Sequence, residues 1–231
     1  VEAEGARAIA VKADVRSLAD VEALRDAAER DLGEPWLVVN NAGIAKVALA
    51  WDMDETAWRR MLDINIGGVV NGLLAFLPGL RERRAGHILN TASVGGLLSM
   101  PANAAYVASK HAVVGLSETL FRELEADGGH VGISVLCPAL VKTAIAGTKL
   151  VDGKRVSAIE SSHAMEPADV ARITLDAVEA RQFWVLTHGE GIAPYMRERL
   201  ADMLRQRNPG RSSVDPAILD MARETTGLPF D

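Results

Sequence analysis

A tyrosine and a lysine stand four residues apart in the helix-like run Tyr106-Val107-Ala108-Ser109-Lys110. Residues at this spacing share one helical face, so the Lys110 ammonium can lie close to the Tyr106 phenol. A phenol ordinarily titrates near pH ~10, and a neighbouring cation favours its anion, which brings proton exchange with an alcohol or carbonyl oxygen into reach. The pair is therefore a candidate acid/base. The same spacing also occurs on ordinary solvated helix faces.

Polar residues also follow two strand-like runs. Ser93 closes the buried-strand pattern of residues 87–93, and the turn Asn40-Asn41-Ala42-Gly43 follows the apolar residues 36–39. Active-site groups in open α/β sheets gather at the carboxyl ends of strands, so Ser93 is well placed to hold a substrate oxygen. Asn65 interrupts a long helical pattern, where it is either a solvated or back-bonding residue or a functional one.

In this order and spacing, the chain resembles the short-chain dehydrogenase/reductase family over nearly its whole length. The resemblance is carried by the Asn-Asn-Ala-Gly turn, Asn65, Ser93, the Tyr106/Lys110 pair and residues 138–143. It implies that Tyr106 is the general acid/base and that Ser93 fixes and polarises the substrate oxygen. Lys110 would lower the pKa of the tyrosine and bind the nicotinamide ribose, and Asn65 would hold a water in a proton relay.

The resemblance also implies contacts with NAD or NADP. Asp14 and Val15 would meet the adenine, although a carboxylate such as Asp14 is more often a turn residue. Asn40, Ala42 and Gly43 would line the adenosine and ribose, where small residues permit close backbone approach.

The nicotinamide side of the cofactor would be held by Pro138, Val141 and Thr143, together with Tyr106 and Lys110. The family usually has glycine after this proline, whereas this chain has Ala139.

The front of the family pattern is missing from the sequence as given. The family opens with a strand, a glycine-rich turn of the Thr-Gly-x-x-x-Gly-x-Gly type, a helix and a second strand, and the sequence begins at Val1 without them. We therefore expect an N-terminally incomplete form of a longer enzyme. Because that turn holds the pyrophosphate and the second strand reads the ribose 2′ position, the sequence does not distinguish NAD from NADP.

The element pattern predicts a single Rossmann-like α/β domain over residues 1–231, with a doubly wound parallel sheet that lacks the first two strands of the family. Strands are expected at residues 8–11, 37–39, 87–93, 131–137 and 183–186, and helices from Ser17 to about Arg30, from Asp54 to near Pro78, around Tyr106 and from Pro167. Without its neighbours, the strand at 8–11 would be unpaired and the next strand would expose a hydrophobic edge. Residues 144–165 are expected to form a substrate lid.

Composition fits one globular domain, with 231 residues of which 48% are hydrophobic and 24% charged. A net charge of −6 argues against a nucleic-acid surface. Five histidines and the single Cys137 show no metal-ligand spacing, and no uncharged stretch of about 18 residues or more is expected to span a bilayer. These features predict a cytoplasmic protein without a metal site.

Three functions stay open. The favoured one is an NAD(P)-dependent oxidoreductase that interconverts a secondary alcohol and a ketone. The others are a non-catalytic remnant that cannot hold a dinucleotide, and an epimerase or dehydratase of the extended branch, which usually has a larger C-terminal region. In relatives the two long helices pair across subunits, which implies a homodimer or homotetramer. Leu97, Leu98 and Met100 form either an apolar pocket wall or part of the core.

Overall fold

A parallel four-stranded sheet organises the chain, in the order β1-β2-β3-β6. The computed structural model describes residues 5–146, 148–151, 154–157 and 164–230. The sheet strands are β1 (Leu37–Asn40), β2 (Gly86–Thr91), β3 (Val131–Cys137) and β6 (Trp184–Leu186), and β4 (Thr148–Val151) and β5 (Lys154–Ser157) form a separate antiparallel pair. In β3 every residue is buried, as expected of a central strand covered on both faces.

Helices cover both faces of the sheet. They are α1 (Leu18–Leu32), α2 (Glu55–Leu62), α3 (Gly68–Arg83), α4 (Ala104–Ala126), α5 (Pro167–Glu179), α6 (Gly189–Leu204) and α7 (Pro216–Thr226). On one face Ile88 packs with Leu80 of α3 and Leu120 of α4. On the other face Leu89 packs with Val170 of α5. Adjacent residues of β2 thus point to opposite helical layers, which confirms the doubly wound arrangement.

The strand expected at residues 8–11 is wrong, because the structure forms none there. Residues 6–14 lie without secondary structure, and the Ile9 and Val11 side chains are 38% and 37% exposed. An isolated extended segment has no ladder partner for its backbone groups, so apolar sequence alone does not make it a strand. The expected exposed edge on the following strand is confirmed, since Val39 of β1 is 48% exposed.

The long helical pattern after Asp54 forms one nearly continuous rod of α2, a π-helical turn over Asp63–Gly67 and α3. The expectation that it ends near Pro78 is wrong. The proline sits inside α3, and the helix ends at Arg83, followed by Arg84 in a left-handed conformation.

By length and composition this segment, Glu55–Arg83, could cross a membrane, a test that core helices of soluble proteins also pass. The sequence expectation of no such stretch therefore needs this correction, although α3 packs on α1 and β1.

The segment predicted as a lid is described only in part. Residues 147, 152–153 and 158–163 lie outside the described residues, and the β4–β5 hairpin occupies the middle of the segment. The residues that flank the segment are joined: Val141 forms a parallel bridge with Met165, and Lys142 forms an ion pair with Glu166. Its role as a lid stays a prediction.

The two C-terminal helices reach back to the loop between β2 and α4. Ile192 of α6 packs with Leu98, and Ala222 of α7 packs with Ala102. The loop that leads into α4 is therefore held between two helices.

Candidate active site

Helix α4 places Tyr106 and Lys110 on the same face. Lys110 is 3% exposed, and its Nζ lies 5.7 Å from the centroid of the Tyr106 ring. The ammonium donates a hydrogen bond of 2.8 Å to the Thr91 carbonyl oxygen at the end of β2. The lysine is therefore anchored beneath the tyrosine and is not on a solvated helix face.

Ser93 follows β2 directly and meets the tyrosine. Its Oγ accepts a hydrogen bond from the Gly95 amide at 3.1 Å and donates to the Pro138 carbonyl oxygen at 3.4 Å. Ser93 also interacts with the Tyr106 side chain and favours its ionised form. The carboxyl ends of β2 and β3 thus hold the serine hydroxyl against the phenol, as the sequence predicts for an open α/β sheet.

Burial dominates the ionisation of this cluster. It raises the pKa of the Tyr106 phenol above its ordinary 10.0, and the interaction with Ser93 only partly opposes that effect. Burial also lowers the pKa of Lys110 from 10.5 to about 8 and raises that of the Cys137 thiol to about 12. In this structure desolvation is the largest influence on the Tyr106 pKa, and the expected lowering of that pKa by Lys110 stays a prediction.

Asn65 lies in the π-helical turn and joins the cluster through Ser109. Its Oδ1 accepts from the Ile44 amide at 2.8 Å, and its Nδ2 donates to the Ile44 carbonyl oxygen at 2.9 Å and to Ser109 Oγ at 3.0 Å. Ser109 Oγ in turn donates to the Tyr106 carbonyl oxygen at 2.7 Å. All hydrogen bonds of the Asn65 amide are thus directed to the protein, which fixes the turn after β1 to the helix of Tyr106.

Asn40 belongs to a second polar chain. Its Nδ2 donates to Asn90 Oδ1 at 2.8 Å, and Asn90 Nδ2 donates to Ser117 Oγ at 2.9 Å. A Cβ on Gly72 of α3 would lie 2.0 Å from Asn40 Oδ1, so only glycine fits there. This chain ties β1 to β2 and β2 to α4.

The residues expected on the adenine side surround one opening. An open cavity of about 660 Å³ is lined by Asp14, Val15, Arg16, Ala42, Arg60 and four further residues. The Asp14 carboxylate is paired with Arg16, which lowers its pKa to about 2. Asp14, Val15 and Ala42 are thus brought together, although the carboxylate already has a cationic partner.

The backbone of Gly43, which is expected on the adenosine and ribose side, lies beside two polar groups. A Cβ built there would lie 3.4 Å from Asn65 Oδ1 and 3.6 Å from Lys110 Nζ. On the nicotinamide side, the Pro138 carbonyl oxygen accepts a hydrogen bond from the Val94 amide at 2.9 Å. The Thr143 amide donates to the Val141 carbonyl oxygen at 2.7 Å. Because Gly43 has no side chain, a ribose can approach its backbone next to the Lys110 ammonium. The residues present are therefore compatible with a dinucleotide.

The protein-family model for short chain dehydrogenases matches residues 1–152 of the chain. The chain belongs to the short-chain dehydrogenase family. The family consists of oxidoreductases that use NAD or NADP on a Rossmann-like fold, and the parallel sheet with helices on both faces agrees with it.

Solved and curated proteins support this membership. A short-chain dehydrogenase/reductase from Burkholderia phymatum in complex with NAD has a TM-score of 0.81 and 37% identity, with 93% of this chain and 81% of that chain covered. 2-(S)-hydroxypropyl-CoM dehydrogenase 3 of Xanthobacter autotrophicus is 38% identical over 64% of this chain and 57% of its own length. A protein of the same organism named inactive 2-(S)-hydroxypropyl-CoM dehydrogenase 2 is 38% identical over 64% of this chain and 63% of its own length. The chain thus spans about three fifths of these two curated relatives.

Sequence reasoning missed three polar residues of the site. Ser109, Asn90 and Ser117 are fully buried and carry the two hydrogen-bonded chains. A buried serine at 109 could have been suspected, because it shares a helical turn with Tyr106 and Lys110. Nothing in the sequence pairs Asn90 with Ser117, since that contact depends on how α4 lies on the sheet.

No group of three histidine, cysteine, aspartate or glutamate side chains comes together within the described ranges.

Proposed function

We propose that the chain is an NAD(P)-dependent oxidoreductase that interconverts a secondary alcohol and a ketone, with Tyr106 as the acid/base. The observation that carries the proposal is the interaction of Ser93, which follows β2, with the Tyr106 side chain, together with the buried Lys110 ammonium near the tyrosine ring. Two hydroxyls that face each other can both bind one substrate oxygen. A cation within 6 Å can stabilise negative charge that develops on the phenol.

In the direction of reduction, the ketone oxygen accepts hydrogen bonds from Ser93 Oγ and Tyr106 Oη. The hydride would be supplied by the nicotinamide of a bound dinucleotide. As the oxygen gains negative charge, Tyr106 transfers its phenolic proton to it, and Lys110 stabilises the phenolate that is left. Because burial raises the pKa of Tyr106, the phenol is protonated at neutral pH and ready to act as the acid. Oxidation runs through the same groups in reverse.

The cofactor would lie along the carboxyl ends of the sheet strands. Asp14, Val15 and Ala42 would meet its adenosine half, and Asn40 and Gly43 would line the ribose. Lys110, Pro138, Val141 and Thr143 would hold the nicotinamide half. Asn65 would keep a relay water in place through the second lone pair of its Oδ1, since both of its amide protons are donated to the protein. The choice between NAD and NADP is open, since none of these residues marks the ribose 2′ position.

Substrate and assembly complete the proposal. The relative 2-(S)-hydroxypropyl-CoM dehydrogenase 3 is named for a 2-hydroxypropyl group, whose hydroxyl sits on a secondary carbon, and this supports a small-molecule secondary alcohol or ketone. Residues 144–165 would act as the substrate lid of a single domain. A homodimer or homotetramer is supported by the exposed apolar residues Val70 and Leu74 on α3. We assign the protein to the cytoplasm, where a single unpaired cysteine such as Cys137 is common.

A second candidate is a non-catalytic member that does not bind a dinucleotide. Two observations favour it. The β1 edge is open, with Val39 48% exposed, and one curated relative is named inactive.

A titration separates the two candidates. NADH or NADPH is added to the chain, and nicotinamide fluorescence is followed, after which a panel of ketones is supplied. The enzyme is expected to change the fluorescence saturably and to oxidise the reduced nicotinamide when a ketone is present. A chain that unfolds cooperatively, and is therefore folded, but gives neither signal would refute the assignment as an enzyme and favour the second candidate.

A further inference from the structure

The side chain of Met100 lies over Gly95, two residues after Ser93 and beside the ring of Tyr106. A Cβ built on Gly95 would lie 2.5 Å from Met100 Cε and 3.4 Å from Tyr106 Cε1. The Met100 methyl group therefore covers Gly95, next to the edge of the tyrosine ring. Gly95 is also the residue whose amide donates to Ser93 Oγ.

A substrate bound by Ser93 and Tyr106 would have the Met100 side chain as a neighbour. The substrate oxygen must lie within hydrogen-bond reach of both Ser93 and Tyr106. The carbonyl carbon then lies about 1.2 Å further on, and its two substituents spread to either side. The substituent that points toward Gly95 meets the methionine methyl.

The loop that carries Met100 is fixed. Ala102 adopts a left-handed conformation with φ 57°, and its carbonyl oxygen accepts from the Ala48 amide at 2.8 Å. Leu98 is held by α6, and Ala102 is held by α7. A non-glycine residue keeps such a conformation only where its surroundings impose it, so the backbone cannot simply withdraw from a large substituent.

We propose that Met100 determines substrate specificity by limiting one substituent of the reacting carbon to a small group, so that methyl ketones and methyl carbinols are preferred. This inference rests on the proposed function and names its substrate class. Leu98 does not share this role, since it is 3% exposed and belongs to the core. Methionine is flexible, so the limit is graded rather than absolute.

Three octanone isomers test the proposal at constant size and hydrophobicity, because their carbonyl carbon bears a methyl, an ethyl or a propyl group. The wild-type chain is expected to have the highest kcat/KM for the methyl isomer. Met100→Ala should raise the kcat/KM of the propyl isomer relative to the methyl isomer by about 10-fold or more, as expected for the space of one or two methylenes. Met100→Leu conserves volume and should keep the ratio, and so should Met203→Ala, whose residue is 59% exposed on α6.

A binding measurement makes the test independent of turnover. The chain has seven methionines, and their ¹³C-labelled methyl signals can be followed by NMR. With oxidised cofactor present, the methyl ketone should shift the Met100 signal, identified by its loss in Met100→Leu, and leave that of Met203 in place.

The outcomes are distinguishable. Tyr106-dependent turnover with an unchanged isomer ratio in Met100→Ala, or an unmoved Met100 signal at saturating ketone, would overturn the role of Met100 and leave the proposed function standing. A chain that neither binds nor turns over any isomer would overturn both.

Discussion

Removing the buried charge of Lys110 should change how stability depends on pH. The side chain is 3% exposed, and burial lowers its pKa from 10.5 to about 8. One pKa unit corresponds to about 1.4 kcal/mol, so keeping this ammonium in the folded chain costs about 3 kcal/mol at neutral pH. The site thus holds a partly desolvated cation, which a nearby phenolate or ribose can satisfy.

The sign follows from proton binding. Between pH 8 and 10.5 the unfolded chain holds a proton on this lysine and the folded chain does not. The free energy of unfolding of the wild type should therefore rise through that window, and the full cost is present below it. In Lys110→Met the contribution is absent at every pH, and the lost hydrogen bond to Thr91 adds only a constant offset.

Urea unfolding at several pH values measures the difference directly. The free energy of unfolding of the wild type minus that of Lys110→Met should increase by about 3 kcal/mol from pH 8 to 10.5. Lys46→Met, at an exposed residue, is the matched control and should show no comparable rise. A wild-type minus Lys110→Met difference that does not change with pH would refute the reasoning, because the ammonium would then not be desolvated.

Three further changes have defined outcomes. Ser93→Ala should lower kcat by about 100-fold with little effect on dinucleotide affinity, as for loss of a donor to a developing oxyanion, and steady-state kinetics with a fluorescence titration checks both. His87 is fully buried, and burial lowers its pKa to about 4. Between pH 6.5 and 4 the unfolded chain takes up a proton that the folded chain does not, so the free energy of unfolding should fall by about 3 kcal/mol on acidification. Acid unfolding of His87→Gln should lack this dependence. Gly72→Ala should destabilise the fold by about 1–3 kcal/mol in urea unfolding, because its methyl would collide with Asn40.

Much of the sheet could be predicted because its apolar runs are short, buried and followed by turns. The strands around Ile88 and Ile133 and the start of α1 at Ser17 follow from local pattern. Residues 8–11 carry a similar pattern and form no strand, since a strand also needs a neighbour that the pattern cannot supply. Pro78 is tolerated within α3 although sequence rules end a helix there.

The candidate site divides in the same way. The spacing of Tyr106 and Lys110 placed both on one face because helix geometry is local. The pKa of the tyrosine could not be predicted from spacing, since it depends on how deeply the rest of the fold buries the phenol. The partners of Asn65 and Asn40 depend on tertiary contacts with Ser109 and Asn90 and were equally out of reach.

The proton donor is tested most directly by comparing the only two tyrosines of the chain. Oxidation of NADH or NADPH by a ketone is measured for the wild type, for Tyr106→Phe and for Tyr195→Phe, which makes the same change on α6. Tyr106→Phe should lose about 100-fold or more in kcat, with its fold and dinucleotide binding retained, and Tyr195→Phe should keep its turnover. Near wild-type turnover in Tyr106→Phe would contradict the assignment of the proton donor and with it the proposed mechanism.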